Sequence, residues 1–140
     1  MIYLPRSEEE NRELAEWVMA RVRDRNALAD GFYETMAFMV DGEIAAVVLY
    51  SHYCGHDISI TFAADNPRWC TRGNLATGLG YPFRKYPELQ RISCTAAKKN
   101  KRSRRLIEKV GFEYEGNKRR GTMNGDDLIC YGLLREKICQ

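Results

Sequence analysis

The segment NKRSRRLIEKVGF, residues 100–112, carries the strongest structural signal in the chain. Asn100 is a residue type that caps helix N-termini, and Gly111 lies where glycine often follows a helix C-terminus. Four side chains between them recur at the spacing of one helical face: Ser103, Leu106, Ile107 and Val110. The pattern predicts a short amphipathic helix over residues 100–110.

Two strands and a further helix are predicted before this segment. Residues 58–62 alternate between apolar and hydroxyl side chains, as a strand with one buried face does. Asp65-Asn66-Pro67 then breaks the strand and is expected to open a helix, because proline is tolerated in a first turn. Ile92, Cys94 and Ala96 alternate as the next strand.

The flanking segments complete the order of elements. Ser7 and Glu10 have the spacing of a capping box, which predicts a first helix from about Glu8 to Arg25. Two strands, 35–40 and 44–50, flank the hairpin turn Asp41-Gly42. A strand starting near Phe112, the turn signal Asn124-Gly125 and a strand over 128–134 follow. This order predicts an α+β fold with a mixed, mostly antiparallel sheet, a central strand–helix–strand crossover and helices on both faces.

Composition indicates one globular domain, 1–140. Hydrophobic residues make up 44% of the 140 residues and charged residues 29%, as in ordinary globular proteins. No apolar run approaches the roughly 18 residues of a membrane span, and no signal-peptide pattern is present. The five cysteines include no CxxC pair, which favours reduced thiols. We therefore expect a cytoplasmic protein.

The net charge of +3 is small, but the basic residues are concentrated. Six lie within residues 98–105 and three more are Lys118, Arg119 and Arg120. Such runs fit a phosphate-bearing partner, either a cofactor or a nucleic acid. A solvated helix face would produce the same pattern.

Residues 100–112 closely resemble the second cofactor motif of the GNAT acetyltransferases: an Asn, a small residue three positions later, an apolar pair, and Lys-apolar-Gly-Phe. The tail resembles the ending of the branch that acetylates ribosomal-protein N-termini, and short versions of the pattern occur in bacteriophage-encoded acetyltransferases. The residues that carry this second likeness are Glu115, Gly116, Arg120, Gly125, Asp127 and Tyr131. The resemblance implies the GNAT fold, acetyl-CoA as cofactor and an amine acceptor.

The resemblance also implies where acetyl-CoA binds. The family's pyrophosphate motif corresponds here to residues 68–73, with Thr71 in place of its first glycine. In the family, the strands beside this turn splay apart and admit the pantetheine arm of the cofactor. The resemblance implies the same arrangement here. The residues implied to contact the cofactor are Phe62, Ala63, Ala64, Arg68, Thr71, Arg72, Gly73, Asn74, Asn100, Ser103 and Arg104. Independently, backbone amides at a helix N-terminus bind phosphate, and Gly73 permits close approach.

Acetyl transfer to an amine needs a proton acceptor and a proton donor for the leaving thiolate. Asp57 is the candidate base, directly or through water, and the adjacent His56 is an alternative. Many family members have a tyrosine as general acid where this chain has Ile107, so Tyr131 is the substitute considered. An ordinary structural role for each of these residues is the alternative.

Three other possibilities are a metal site, CoA binding without chemistry and nucleic-acid binding. His52, Cys54 and His56 alternate as metal ligands on one strand face would, but Gly55 interrupts them and no metal site is predicted. The chain could also bind CoA without chemistry, or bind nucleic acid through its basic runs. The acceptor class (a protein N-terminus, a lysine, a small amine or a modified base) is not defined by any motif.

Overall fold

The computed structural model describes residues 1–22 and 25–138. In these ranges the strands form one seven-stranded sheet, in the order β1-β2-β3-β4-β5-β7-β6. β4 and β5 are parallel, and all other neighbours are antiparallel. The strands are β1 Ile2–Tyr3, β2 Tyr33–Val40, β3 Glu43–Ser51, β4 Asp57–Ala64, β5 Arg91–Ala97, β6 Glu113–Lys118 and β7 Leu128–Leu134.

Helices cover both faces of this sheet. The α-helices are α1 Glu8–Val22, α2 Arg72–Lys85, α3 Lys101–Lys109 and α4 Arg135–Ile138. α1 packs its buried residues, such as Val18, against Val47 and Leu49 on one face. The other face carries the larger core, which includes Phe83 of α2 and Ile107 of α3. The predicted mixed sheet with its β4–α2–β5 crossover is confirmed. None of the described helices is long and apolar enough to cross a membrane.

Most strand predictions are confirmed to within two residues at each end. Asp41 and Gly42 form the tight turn between β2 and β3, with left-handed φ values of 54° and 79°. The second turn signal is different, because Asn124-Gly125 lies inside a longer loop between β6 and β7. β1 and α4 were not predicted, since two- and four-residue elements are too short to show a periodicity.

The start of α1 corrects part of the capping-box prediction. Ser7 Oγ accepts a hydrogen bond from the amide of Glu10 at 3.1 Å, as an N-cap should. The carboxylate of Glu10 instead accepts from Tyr3 Oη and from the amide of Arg6. The predicted helix end near Arg25 is also wrong in detail, since α1 is described to Val22, residues 23–24 lie outside the described residues, and Arg25–Leu28 is a 3₁₀ turn.

The segment before α2 corrects a further prediction. Pro67 does not open this helix but belongs to a 3₁₀ turn, Pro67–Trp69, capped by the side chain of Asn66. Trp69 anchors the turn by burial against Phe38, with ring centroids 5.3 Å apart. The helix starts only at Arg72, with Thr71 as its N-cap.

Candidate active site

The parallel strands β4 and β5 separate part of the way along their length. Their ladder runs from Asp57 opposite Arg91 to Ile60 opposite Cys94. Beyond this point β4 pairs only with β3 as far as Ala64, and β5 pairs only with β7 as far as Ala97. The facing edges therefore form a V-shaped opening in the middle of the sheet, with main-chain groups that have no ladder partner across it.

The N-terminus of α2 follows this opening by way of the turn at Trp69. Thr71 Oγ1 accepts a hydrogen bond from the amide of Asn74 at 3.1 Å, and Asn74 Nδ2 donates to the carbonyl of Trp69. The first amides of a helix have no partner within it. A Cβ added to Gly73 would meet no atom within 4 Å. Gly73 thus leaves free space above a positive helix terminus, as an anion site requires.

The N-terminus of α3 lies on the other side of the opening. Asn100 Oδ1 accepts from the amide of Ser103 at 3.2 Å, which confirms the predicted cap. Asn100 and Ser103 also line the cleft described below. Arg104 is engaged elsewhere: its Nε donates to Tyr131 Oη and its Nη1 to the carbonyl of Lys98, both at 3.0 Å.

The remaining predicted cofactor residues divide by exposure. Phe62 lines the cleft, whereas Ala63 is buried toward α1 and Ala64 is exposed at the strand end. Arg72 is exposed in the first turn of α2. Arg68 is exposed too, and it pairs with Asp41 at 2.9 Å. An ion pair this exposed contributes little stability, so it does not prevent Arg68 from contacting a phosphate.

A cleft of about 1400 Å³ passes through the opening and continues on the α1 side of the sheet. Its floor there includes a cross-strand row of serines in direct register: Ser51, Ser59 and Ser93. Ala27 and the loop between β6 and β7 stand at its margins. These serines give this part of the floor small side chains with hydroxyl groups.

Asp57 lies on the same face of the sheet, in the neighbouring cross-strand row opposite Arg91. Its two carboxylate oxygens accept from Ser93 Oγ at 2.8 and 2.9 Å, and Arg91 Nε lies 3.5 Å away. Arg91 also binds Glu115 through two nitrogens, at 2.5 and 3.0 Å. Ser93 and Glu115 line the cleft. The carboxylate of Asp57 therefore connects to the cleft through the Ser93 hydroxyl.

The other two catalytic candidates are less well placed. His56 is exposed, and its ring is near Cys54 Sγ at 3.8 Å. Tyr131 lines the cleft but is 1% exposed, with its hydroxyl accepting from Arg104 and donating to Glu108 at 2.8 Å. Burial raises the pKa of Tyr131. Ile107, at the position of the family tyrosine, is buried in the core.

The alternation of His52, Cys54 and His56 does not persist in the structure. β3 ends at Ser51, and His52 takes a left-handed backbone conformation with φ of 56°. Within residues 1–22 and 25–138, no three His, Cys, Asp or Glu side chains are arranged to hold a metal ion. His52 instead lines the cleft, with Nδ1 3.1 Å from Ser51 Oγ.

Sequence reasoning missed Arg91, Ser93 and Glu115. Arg91 starts β5, Ser93 lies within β5 and Glu115 lies within β6. Glu115 belongs to the tail likeness, but no motif links it to the other two. The register brings them together, because Ser93 pairs with Gly132, and a Cβ there would lie 2.4 Å from Arg91 Nη2 and 2.1 Å from Glu115 Oε2.

Comparison with solved structures identifies this architecture. A spermidine N-acetyltransferase from Vibrio cholerae, in complex with CoA and spermine, matches with a TM-score of 0.71 and 15% identity, covering 100% of this chain and 98% of that one. The chain has the GNAT fold. An acetyltransferase of the GNAT family from Streptococcus pneumoniae matches with a TM-score of 0.66 and 16% identity, covering 96% and 98% of the two chains.

A second branch of the fold is also represented among its neighbours. The ribosomal-protein-alanine N-acetyltransferase from Escherichia coli matches the GNAT fold of this chain with a TM-score of 0.65 and 17% identity, covering 96% and 94%. No protein-family model and no curated protein sequence matches the chain. The likeness is therefore one of fold.

Proposed function

We propose that this protein is an acetyl-CoA-dependent N-acetyltransferase that acts on a primary amine. The observation that carries the proposal is the β4–β5 opening between two capped helix N-termini, joined to a cleft on the α1 side. The solved structures with this fold that are named above are acetyltransferases, and one contains CoA.

The residues at the opening fit the cofactor. The free backbone amides of Arg72 and Gly73 are suited to bind the phosphates. A Cβ added to Gly73 would lie in open space, so there is room for them. Asn100 and Ser103 offer polar groups at the cleft wall, and Phe62 offers an apolar contact. Arg68 and Arg72 supply exposed positive charge beside α2. When bound, acetyl-CoA would supply the activated acetyl group.

The chain's own part in the chemistry begins with β4. Amides past Ile60 that face the opening have no partner on β5, so they are available to polarise a carbonyl oxygen placed there. A strand rises by about 3.3 Å per residue. Asp57 therefore lies roughly 10 Å before Ile60, the last residue of β4 that pairs with β5. Asp57 therefore acts on an amine through Ser93 or water, as a positioning residue and proton acceptor at a distance.

The leaving thiolate also needs a proton donor. Tyr131 is the candidate, and its hydroxyl is shared between Arg104 and Glu108. Its raised pKa keeps the phenol protonated at neutral pH. A water at the mouth of the cleft is the alternative donor. The tyrosine that serves as general acid in many family members is replaced here by Ile107.

A CoA-binding module without chemistry is the second candidate, favoured by Ile107 and by Thr71 in the pyrophosphate turn. Release of free CoA from acetyl-CoA, measured against a panel of peptides with free N-termini, lysine derivatives and polyamines, separates the two. We expect amine-dependent release with at least one acceptor class. Thermal stabilisation by CoA with no release for any amine would favour the module.

A further inference from the structure

The two basic runs, distant in sequence, form one surface in the fold. The amide of Lys98 donates to the carbonyl of Asp127 at 2.8 Å. The carboxylate of Asp127 accepts from the amide of Arg120 and from Asn117 Nδ2, both at 3.1 Å. These bonds hold the loop before α3 against the loop between β6 and β7.

The pKa of Asp127 reflects the positive charge around its carboxylate. Its pKa is lowered, first by the hydrogen bond from the Arg120 amide, then by Asn117, and further by the positive charges of Lys98 and Arg119. Both runs therefore place cations beside the same carboxylate. Hydrogen bonds fix the two loops relative to one another. The two basic runs are therefore held side by side by the backbone and not only by contacts between long side chains.

Nine basic side chains on this surface are exposed. None of them forms an ion pair with any described residue. They are Lys98, Lys99, Lys101, Arg102, Arg105, Lys109, Lys118, Arg119 and Arg120. We call this set the basic surface. Concentrated exposed cations that form no ion pair with a described residue are available to bind a polyanion.

One CoA molecule cannot account for the whole basic surface. Lys101, Arg105 and Lys109 recur every four residues along the outside of α3, a span of about 12 Å. The pyrophosphate of CoA has a separate partner in the α2 N-terminus with Arg68 and Arg72, and the single 3′-phosphate can contact only a few of the nine side chains. Most of the basic surface is thus left for a ligand with phosphates repeated along its length.

An exposed aromatic ring lies at the edge of the same surface. Tyr114 of β6 is 61% exposed. It is the cross-strand partner of Tyr131 on β7, so both side chains lie on the face of the sheet that α3 covers. The charge of Arg104 is near enough to Tyr114 to interact with it. Base stacking on an aromatic ring beside a cationic track is how proteins hold single-stranded nucleic acid without sequence preference.

We propose that the basic surface and Tyr114 bind single-stranded nucleic acid, with phosphates along α3 and the two joined loops and a base against the tyrosine ring. Lys99, Lys118 and Arg120 of this surface also line the cleft, so a bound strand passes its mouth. This binding goes beyond the proposed acetyl transfer and does not depend on it.

The test is fluorescence anisotropy with a labelled 20-nucleotide poly(U) RNA and the matching poly(dT) DNA, at several salt concentrations. Lys98→Gln/Arg119→Gln removes two charges outside the cleft lining and should reduce the slope of log K against log salt by about 1.4. Tyr114→Leu should weaken binding by about tenfold without changing the slope. Arg12→Gln/Lys137→Gln removes two exposed charges on α1 and α4 and should change neither.

Further arms separate the alternatives. Saturating CoA should leave most of the binding intact, and a polyglutamate peptide of equal charge should bind more weakly than the RNA. Thermal stabilisation by acetyl-CoA, measured on the same variants, should be unchanged, so that failure here and failure of acetyl transfer are distinguishable. No binding in 50 mM salt, full displacement by CoA, or polyglutamate binding equal to RNA would overturn the proposal. A preference between RNA and DNA would define the strand.

Discussion

The hydroxyl of Tyr50 supplies the hydrogen bond that Pro82 cannot make. Pro82 lies inside α2, four residues after Gly78, so its missing N–H leaves the Gly78 carbonyl without the usual helical donor. Tyr50 Oη donates to that carbonyl at 2.6 Å, and the ring is 1% exposed. β3 and α2 are thereby joined at a point where the helix alone is incomplete.

Tyr50→Phe should therefore lower the free energy of unfolding by about 1–3 kcal/mol, the cost of leaving a buried carbonyl unpaired. In a Pro82→Ala background the helix can supply its own donor, and the same Tyr50→Phe change should cost less. Chemical denaturation of the four proteins in this double-mutant cycle measures the coupling. Equal costs in both backgrounds would show that the hydroxyl does not serve this purpose.

Gly73→Ala separates cofactor binding from folding. The added methyl group meets no protein atom within 4 Å, and alanine favours helices over glycine by up to about 1 kcal/mol. The unfolding free energy should therefore stay constant or rise. Acetyl-CoA affinity should fall by about tenfold or more, roughly 1.4 kcal/mol, because the methyl group projects where a phosphate would lie.

The matched control for this change is Gly116→Ala. Its added methyl group also meets open space, but on β6 rather than α2. Titration calorimetry with acetyl-CoA should show the loss in Gly73→Ala and not in Gly116→Ala. Undiminished affinity in Gly73→Ala would place the phosphates elsewhere.

Cys94, the last residue of β5 that pairs with β4, should make the fold sensitive to alkaline pH. Burial raises the pKa of Cys94 from 9.0 to about 12. A pKa raised by folding means that its contribution is intact below about pH 9 and is lost as pH rises toward 12. The loss is at most about 1.4 kcal/mol per pH unit.

The measurement is denaturant unfolding of wild type and Cys94→Ala from pH 8 to about 11, within the range over which an unfolded thiol ionises. The variant should be less stable at pH 8 because of its cavity, but its stability should decline less steeply as pH rises. Tyrosine ionisation affects both proteins equally and cancels in the difference. Parallel slopes would contradict the burial argument, as would native-state thiol labelling of Cys94 as fast as that of exposed Cys54.

Asp57→Asn should reduce turnover about ten- to hundredfold while leaving acetyl-CoA affinity nearly intact, because it keeps the shape and removes a proton acceptor. Ser93→Ala should reproduce part of this loss if the hydroxyl connects Asp57 to the cleft. The pH dependence of kcat is the distinguishing readout, since a merely structural role would not move it. Unchanged turnover in Asp57→Asn across the pH range would remove Asp57 from the mechanism.

Local signals were sufficient for much of this fold. The cap at Asn100, the glycine after α3 and the turn at Asp41-Gly42 each act through neighbouring residues, so the sequence pattern predicted them. The predicted start of α2 was too early, because the sequence offers two possible helix caps. One is Asn66, followed by Pro67, and the other is Thr71. Burial of Trp69 against the distant Phe38 decides between them, and periodicity carries no information about that contact.

The catalytic side of the site was less predictable for a related reason. Asp57, Arg91 and Glu115 belong to three different strands, and only the sheet register brings their side chains into contact. Likewise, the two basic runs are joined through Asp127, which no spacing rule connects to Lys98. Contacts of this kind depend on tertiary pairing, whereas the sequence specifies each strand only by itself.

Thermal unfolding of the wild-type protein with increasing acetyl-CoA is the direct test of a cofactor site at the β4–β5 opening. A ligand that binds only the folded state stabilises it by about 2.7 kcal/mol at one hundred times its Kd. We expect the melting temperature to rise with acetyl-CoA concentration, and the rise to be reduced in Gly73→Ala. No rise at millimolar acetyl-CoA would contradict a cofactor site at the β4–β5 opening, and with it the proposed acetyl transfer.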